Sequence, residues 1–322
     1  MMWLPLLVVL LTLLFLYRWY RQSLILENLS DKYVLITGCD SGFGNLLAKQ
    51  LDRHGMRVLA ACLTEKGAED LKKETSHRLQ TVILDVTNSQ SVSSVAKWVT
   101  HVVADKGLWG LVNNAGTGMP GAPNEWLKKD DFSRVLDVNL LGLIDVTLKL
   151  LPLIRKSQGR IVNVSSIVGR VTICGGGYCI SKFGVEAFSD SLRRELRQFG
   201  VSVSIIEPGY FQTQLNNLDH MKNSLQNIWS STSPEIHQSY GIQYFHDYVT
   251  GMMKTFLSLC NTDLTPVARC MEHALTAVHP WTRYSAGWDA KLFFIPVSYL
   301  PTVLSDYLLT LSAPSPAQAT SH

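Results

Sequence analysis

Tyr178 and Lys182 stand four residues apart in the run Tyr178-Cys179-Ile180-Ser181-Lys182. On a helix that interval puts both side chains on one face, where an ammonium beside a phenol lowers the phenol's pKa from about 10 toward neutrality. Such a pair can take up and release a proton at ordinary pH. Twelve and thirteen residues earlier, Ser166 and Ser165 close an apolar run, and either can bring a hydroxyl to the same substrate oxygen. A surface cation pair is the bland explanation of any Tyr-x-x-x-Lys, so the reading rests on what surrounds it.

A second group of residues suits a dinucleotide. The first apolar run after the amino-terminal segment leads into Thr37-Gly38-Cys39-Asp40-Ser41-Gly42-Phe43-Gly44, with a helical pattern from Asn45. Glycines there allow a tight turn and let main-chain N–H groups approach a pyrophosphate at a helix N-terminus. The spacing G-x-x-x-G-x-G differs from the G-x-G-x-x-G fingerprint, and alone it is weak evidence. Asp85 and Val86 end the third apolar run, where a carboxylate can accept a hydrogen bond from an adenine amino group; Asn113, Asn114, Ala115 and Gly116 end the fourth. Singly, Asp85 would serve as a helix cap and Asn113-Asn114 as a turn. Three such marks at successive strand ends, where parallel sheets bind their ligands, are hard to assign to turns.

The elements that must position these residues follow from periodicity. Strands are expected at 33–37, 57–62, 81–84, 108–112, 160–164 and 201–206, with a last one at 283–287. Amphipathic stretches fill the gaps, notably 130–156 and 178–199. This alternation builds an α/β fold, a Rossmann-like doubly wound parallel sheet with helices on both faces. From Tyr210 to Leu264 the rhythm gives way to a polar region expected to be helical, mobile and substrate-covering. The expected organisation is a membrane anchor over 1–21, a Rossmann-fold domain over 30–290 and an apolar carboxy-terminal segment with a short tail over 291–322.

Composition excludes several classes. A chain of 322 residues with 29 lysines and arginines against 26 acidic residues is nearly neutral, so no nucleic-acid partner is expected. Six cysteines without a C-x-x-C pair indicate neither a zinc site nor a disulfide framework, and no metal is expected. Met1 to Tyr17 is uncharged and Arg18 and Arg21 follow it. Seventeen residues span roughly 25 Å, the short end of a membrane crossing. A signal anchor fits better than a cleaved peptide, because a positive n-region and a small-x-small site are missing. The positive flank places the body in the cytosol. The sequon Asn28-Leu29-Ser30 would be modified only if the body were lumenal. Leu292 to Leu311 is also apolar, but two prolines and Asp306 interrupt it; it docks on the bilayer, closes the substrate mouth or forms a buried contact.

Taken together, Thr37-Gly38-x-x-x-Gly42-x-Gly44, Asn113-Asn114-Ala115-Gly116, Asn139, Ser166, Tyr178-x-x-x-Lys182 and Pro208-Gly209 resemble the short-chain dehydrogenase/reductase family over about residues 32 to 213. That resemblance implies Tyr178 as catalytic acid/base and Lys182 as the group that lowers its pKa and binds the nicotinamide ribose. It implies Ser166 as the residue that polarises the substrate oxygen, and Asn139 as the holder of a water linking Lys182 to solvent. Ser165 stays a rival for the serine role, although the run Val164 to Arg170 aligns better with Ser166. Gly38, Ser41, Gly42, Phe43, Gly44, Asp85, Val86, Asn113, Ala115 and Gly116 would bind the cofactor, as would Tyr178, Lys182, Pro208, Gly209 and Thr213. Further segments, among them Gly175-Gly176-Gly177-Tyr178-Cys179 and Arg283 to Lys291, are similar to the microsomal retinol dehydrogenases and the oxidative 3α- and 17β-hydroxysteroid dehydrogenases. This narrower likeness implies an endoplasmic reticulum membrane enzyme acting on a retinoid or steroid alcohol, with a homodimer as a guess by likeness.

The glycine run before Tyr178 is expected to leave room for a bulky ring or polyene. Cofactor choice turns on the end of the second strand, where an acid selects NAD and a base accepts the NADP phosphate. Leu63 is followed by Thr64, Glu65 and Lys66, which places neither sign. Asp40 in the glycine turn favours NAD and oxidation, while Lys66 keeps NADP open. An NADPH-dependent carbonyl reductase and a non-catalytic membrane scaffold are the rival readings.

Overall fold

Alternation along each strand decides which helical layer it meets. The computed structural model describes residues 3–118, 121–214 and 217–319. In it β1 (Tyr33–Thr37), β2 (Arg57–Cys62), β3 (Gln80–Ile83), β4 (Gly110–Asn113), β5 (Arg160–Val164), β6 (Ser202–Pro208) and β7 (Arg283–Ala286) make one parallel sheet, ordered β3-β2-β1-β4-β5-β6-β7. Val34, Ile36, Val58 and Ala60 face α2 (Gly42–Arg53) and α10 (Thr265–Thr276) through Leu47, Leu51, Met271 and Leu275. Leu35, Leu59 and Leu111 point the other way, against α4 (Ser89–Val103), α6 (Leu143–Lys156) and α7 (Gly177–Leu196) through Val95, Val99, Leu150 and Leu192. The chain reverses its direction of winding between β1 and β4, paired at Val34–Gly110. Strand ends diverge there and open a crevice.

The expected strands hold to within two residues. β4 begins at Gly110 because Leu108 N–H is bonded to the Leu153 carbonyl of α6 instead of to a strand. The stretch 130–156 is interrupted where one helix was expected: α5 (Lys129–Leu136) passes through a π turn, Asp137–Gly142, into α6. Gly142 abuts the Val86 carbonyl so closely that a Cβ would come within 2.8 Å. Region 210–264 is helical, as α8 (Leu218–Ser230) and α9 (Pro234–Leu259). Aromatic rings pack it against the 124–126 turn: Trp126 meets Trp229 at 4.8 Å and Tyr240 at 5.4 Å, and Trp229 stacks on Phe245.

At the amino end α1 (Trp3–Ser23) is a helix, and its residues from Leu7 to Tyr20 stand largely exposed. Among the described residues no helix is long and apolar enough to cross a membrane. From Trp3 to the first arginine the uncharged stretch covers about 22 Å, against a hydrocarbon core of about 30 Å. The connection to the sheet is tied down: Leu26 N–H bonds the Thr276 carbonyl, Val278 N–H the Leu24 carbonyl, and His273 Nε2 meets the Gln22 carbonyl at 2.9 Å. At the other end, Phe294 and Val297 are buried, whereas Leu292, Tyr299, Val303 and Tyr307 of the stretch through α11 (Ile295–Val297) and α12 (Thr302–Thr310) are exposed.

Behind α7 the fold buries charge. Arg283 lies 3.1 Å from both Glu186 and Asp190 and 3.5 Å from Glu207, and Arg170 reaches Glu207 at 3.1 Å. Burial and the charge of Glu207 outweigh Arg283 at Glu186 and push its carboxyl up to about 7 from 4.5. The folded chain therefore holds this proton more tightly than the unfolded one. The stability it contributes is complete below about 4.5 and lost as pH rises through about 7. Glu186→Gln should gain about 1–3 kcal/mol relative to the parent between pH 5 and pH 8. Urea midpoints at the two pH values check this, and parallel pH dependence in both proteins would contradict it.

Candidate active site

A cleft of about 750 Å³ opens at the carboxyl ends of β1, β2, β4, β5 and β6. One end is the glycine turn. Gly38 (φ +70°) lies where a Cβ would come within 2.8 Å of Ala115 Cα, so the turn and the end of β4 are in main-chain contact. Gly42 (φ +63°) starts α2, and Ser41 before it makes no side-chain cap. The first N–H groups of α2 thus lack intrahelical acceptors beside the cleft, an arrangement that suits a phosphate. Gly38, Ser41, Gly42, Phe43, Asp85, Val86, Ala115, Gly116, Pro208, Gly209 and Thr213 line the cleft, as do Ser166, Tyr178 and Lys182.

Three expected residues stand elsewhere. Gly44 is a packing glycine, since a Cβ there would come within 2.5 Å of Asn114 Nδ2 and the Gly38 carbonyl. Asn113 is buried and donates to Thr147 Oγ1 and Asn163 Oδ1, both at 2.9 Å. Strand alternation turns it into the core and presents its neighbour Asn114 to the cleft; Asn114 Nδ2 bonds the carbonyls of Thr37 (2.9 Å) and Gly38 (3.0 Å). Asn139, in the π turn, accepts from Thr117 N–H and donates to the Thr117 carbonyl, both at 2.8 Å, and to Ser181 Oγ at 3.0 Å. Its side chain ties the wall of the cleft to the first turns of α7. Asp85 lines the cleft, yet its Oδ1 also accepts from Thr87 N and Oγ1.

At the far end Ser166, Tyr178 and Lys182 come together. Ser166 shares the cleft wall with Tyr178, and its Oγ accepts from Val168 N–H at 3.3 Å and lies 3.5 Å from the Pro208 carbonyl. Ser165, the rival, also borders the cleft, but its hydroxyl donates to the Lys182 carbonyl at 3.3 Å. Lys182 Nζ stands 5.7 Å from the centre of the Tyr178 ring and donates to the Val164 carbonyl at 2.8 Å. The anticipated depression of the phenol is absent in the protein alone. Burial pushes Tyr178 up to about 12, the Ser166 hydrogen bond offsetting part of it, and burial lowers Lys182 to about 8 despite the charge of Glu186. Desolvation disfavours both charged forms and outweighs their attraction.

The glycine run also differs from expectation. Gly175 abuts the Ala122 carbonyl, Gly176 needs φ +93°, and a Cβ on Gly177 would come within 2.9 Å of Val135. These glycines permit close packing against 122–124 and α5, and open no space for a ring. Beside Tyr178 an apolar cluster packs instead: Tyr210 meets Phe256 at 5.1 Å and Phe294 at 5.9 Å, with Ile167 and Val171 in the same cluster. His220 and Ser224, one turn apart on α8, also border the cleft.

At the end of β2, Asp40 is held by three donors: Leu63 N (2.8 Å), Thr64 N (2.9 Å) and Thr64 Oγ1 (2.7 Å). The glycine turn thus delivers a carboxylate to the place where Thr64, Glu65 and Lys66 left the sign open. Among the described residues no cluster of three or more His, Cys, Asp or Glu side chains could hold a metal ion.

Comparison with known proteins agrees with this architecture. Residues 32–223 match a family model described as short chain dehydrogenase. Over 318 residues, 99% of this chain and 100% of theirs, the chain is 59% identical to retinol dehydrogenase 16 of Homo sapiens and 60% identical to retinol dehydrogenase 16 of Mus musculus. It is 59% identical to 17-beta-hydroxysteroid dehydrogenase type 6 of Homo sapiens over 307 residues, 95% of this chain and 96% of the relative. Among solved structures, a short-chain dehydrogenase from Streptomyces avermitilis shares the fold with a TM-score of 0.68 at 24% identity, covering 87% of this chain and 96% of that one. A short chain dehydrogenase from Burkholderia cenocepacia J2315 in complex with NADP gives 0.65 at 20% identity, over 87% and 98%.

Proposed function

Because the chain belongs to the short-chain dehydrogenase family and is therefore an oxidoreductase, we propose that it oxidises the hydroxyl of a retinol or hydroxysteroid to the aldehyde or ketone. The relatives named for retinol and for 17-beta-hydroxysteroid support that substrate class. A nicotinamide dinucleotide, when bound, supplies the hydride acceptor. The observation that carries the reading is the meeting of Ser166, Tyr178 and the buried Lys182 amine on one wall of the cleft.

In this reading Tyr178 takes the alcohol proton at its phenol oxygen, and the Ser166 hydroxyl stabilises charge developing on the substrate oxygen. Lys182 and Tyr178 titrate as a pair. With Lys182 near 8 and Tyr178 near 12, the first proton leaves the pair at about 8. The singly protonated pair includes the form with phenolate and ammonium, which is the base. Asn139 acts as a positioning residue through Thr117 and Ser181, and any water it holds falls to its main-chain carbonyl.

A carboxylate at the end of β2 accepts a ribose 2′-hydroxyl and repels a 2′-phosphate. Each Asp40 oxygen keeps a lone pair beyond its present bonds or can share one. This supports NAD over NADP. Membrane attachment is supported by the exposed apolar length of α1 ahead of Arg18 and Arg21, with Trp19 and Tyr20 at interfacial depth. The body then lies on the cytosolic side of the endoplasmic reticulum.

Three outcomes test the reading. Alcohol kcat/KM should rise about tenfold per pH unit below about 8 and level above it, while Tyr178→Phe lowers kcat by about 10²–10⁴ at every pH; substantial turnover by that variant would sink the assignment. NAD should be preferred over NADP by about 10²-fold, and Asp40→Ala should cut the ratio at least about tenfold; an unchanged ratio in initial-rate assays would remove Asp40 from the choice. In microsomes the protein should resist alkaline carbonate extraction, and glycosidase should leave its mobility unchanged, since Asn28 would face the cytosol. A glycosylated Asn28 would reverse the topology.

A further inference from the structure

Two thiols lie beside the proposed proton-transfer tyrosine, and the mechanism uses neither. Cys179 directly follows Tyr178 in the first turn of α7 and is buried against Ile167, Val168, Val171 and Phe294. Cys174, five residues earlier, is exposed. Their sulfurs are 3.6 Å apart, and Cys179 Sγ is 3.4 Å from the Cys174 carbonyl. A disulfide needs about 2.05 Å between sulfurs, so the gap to close is small. The remaining four cysteines offer no such pairing: Cys39 and Cys62 are buried, and Cys260 and Cys270 are half-buried on separate elements.

We propose that Cys174 and Cys179 form a modification site for peroxides, closing to an intramolecular disulfide that slows turnover of the alcohol; the effect on turnover rests on the dehydrogenase reading above. Cys174 is the exposed residue of the pair. Its thiolate attacks one peroxide oxygen, the O–O bond breaks, hydroxide leaves and a sulfenic acid forms. The Cys179 thiolate then attacks the Cys174 sulfur and a second hydroxide leaves. In sum the two thiols lose two electrons and two protons, and one peroxide becomes two waters. Their hydrogen bond raises the Cys174 thiol and lowers that of Cys179, so the pair gives up its first proton at Cys179, and a proton passed across the 3.6 Å contact leaves the thiolate on Cys174.

Closure reaches the site through packing. Val171 and Ile173, just before Cys174, belong to the apolar cluster that contains Tyr178, Tyr210 and Phe294. Gly176 is fixed from the other side by Asn124 Oδ1 at 2.8 Å. Drawing Cys174 onto α7 therefore moves the 171–174 segment against the alcohol end of the cleft, while the glycine turn at the dinucleotide end is untouched.

The test treats full-length protein in membranes with hydrogen peroxide, then maps peptides without reduction. The expected result is a 174–179 link, lighter by two hydrogens and closed to alkylation at both cysteines. Alcohol kcat/KM should fall about tenfold or more, KM for NAD should hold, and dithiothreitol should restore activity. Cys174→Ser should keep basal turnover and resist peroxide. Stepwise oxidation of Cys174 without a link, or equal peroxide sensitivity in Cys174→Ser, would overturn the proposal. A link that leaves alcohol kcat/KM unchanged would overturn its action on the site. Because the link is read by mass, an enzyme without alcohol turnover would refute the dehydrogenase reading and leave the thiol chemistry separately judged.

Discussion

The amine of Lys182 is enclosed by protein and bound to one carbonyl, that of Val164, and the rest of the site is arranged around that constraint. An ammonium taken out of water needs acceptors or it gives up its proton. Here burial lowers Lys182 and raises Tyr178, so neither charged form is favoured in the protein alone. Ser166 stands on the same cleft wall, where its hydroxyl offsets part of the rise at the phenol. The charge cluster of Glu186, Arg283, Glu207 and Arg170 lies just behind, and it pins α7 to β6 and β7 so that the pair cannot drift from the strand ends.

Opposite this pair, the cleft owes its shape to close main-chain approach. The glycine turn touches the end of β4 at Gly38 and Ala115, and the π turn brings Asn139 to Thr117 and Ser181. A regular helix through 137–142 would rotate Asn139 away from both partners, because each residue turns the face by about 100°. The same economy appears at Asp40, one residue that closes the glycine turn onto β2 and carries the charge that meets the adenosine ribose in the proposed complex.

Around that rigid floor the molecule is greasy. Aromatic packing among Trp126, Trp229, Tyr240 and Phe245 holds α8 and α9 over the cleft. Phe294 and Val297 reach inward to the Tyr178 cluster, whereas Leu292, Val303 and Tyr307 from the same carboxy-terminal stretch face outward. A hydrophobic alcohol partitioned into a bilayer would meet apolar residues along that side of the protein, which is consistent with attachment through α1.

Local chemistry made much of this protein legible from its residues alone. Short β-branched apolar runs between amphipathic stretches specified the strands to within two residues, and Tyr178, Lys182 and the glycine turn stood out because proton transfer and phosphate binding would demand fixed residue types at fixed intervals. Other features depended on contacts between distant segments. Whether Asn113 or its neighbour faces the cleft follows from pleat phase against α6. Gly44 and Gly175 serve packing because other main chains press on them. The bond of the Ser165 hydroxyl to the Lys182 carbonyl, the interruption of the helix at Asp137–Gly142 and the meeting of Asp40 with β2 were likewise decided only on folding. Sequence spacing records which side chains can share a face of one element; which of them lose water together, and so how their protons are held, is set by the neighbours that the whole chain brings in.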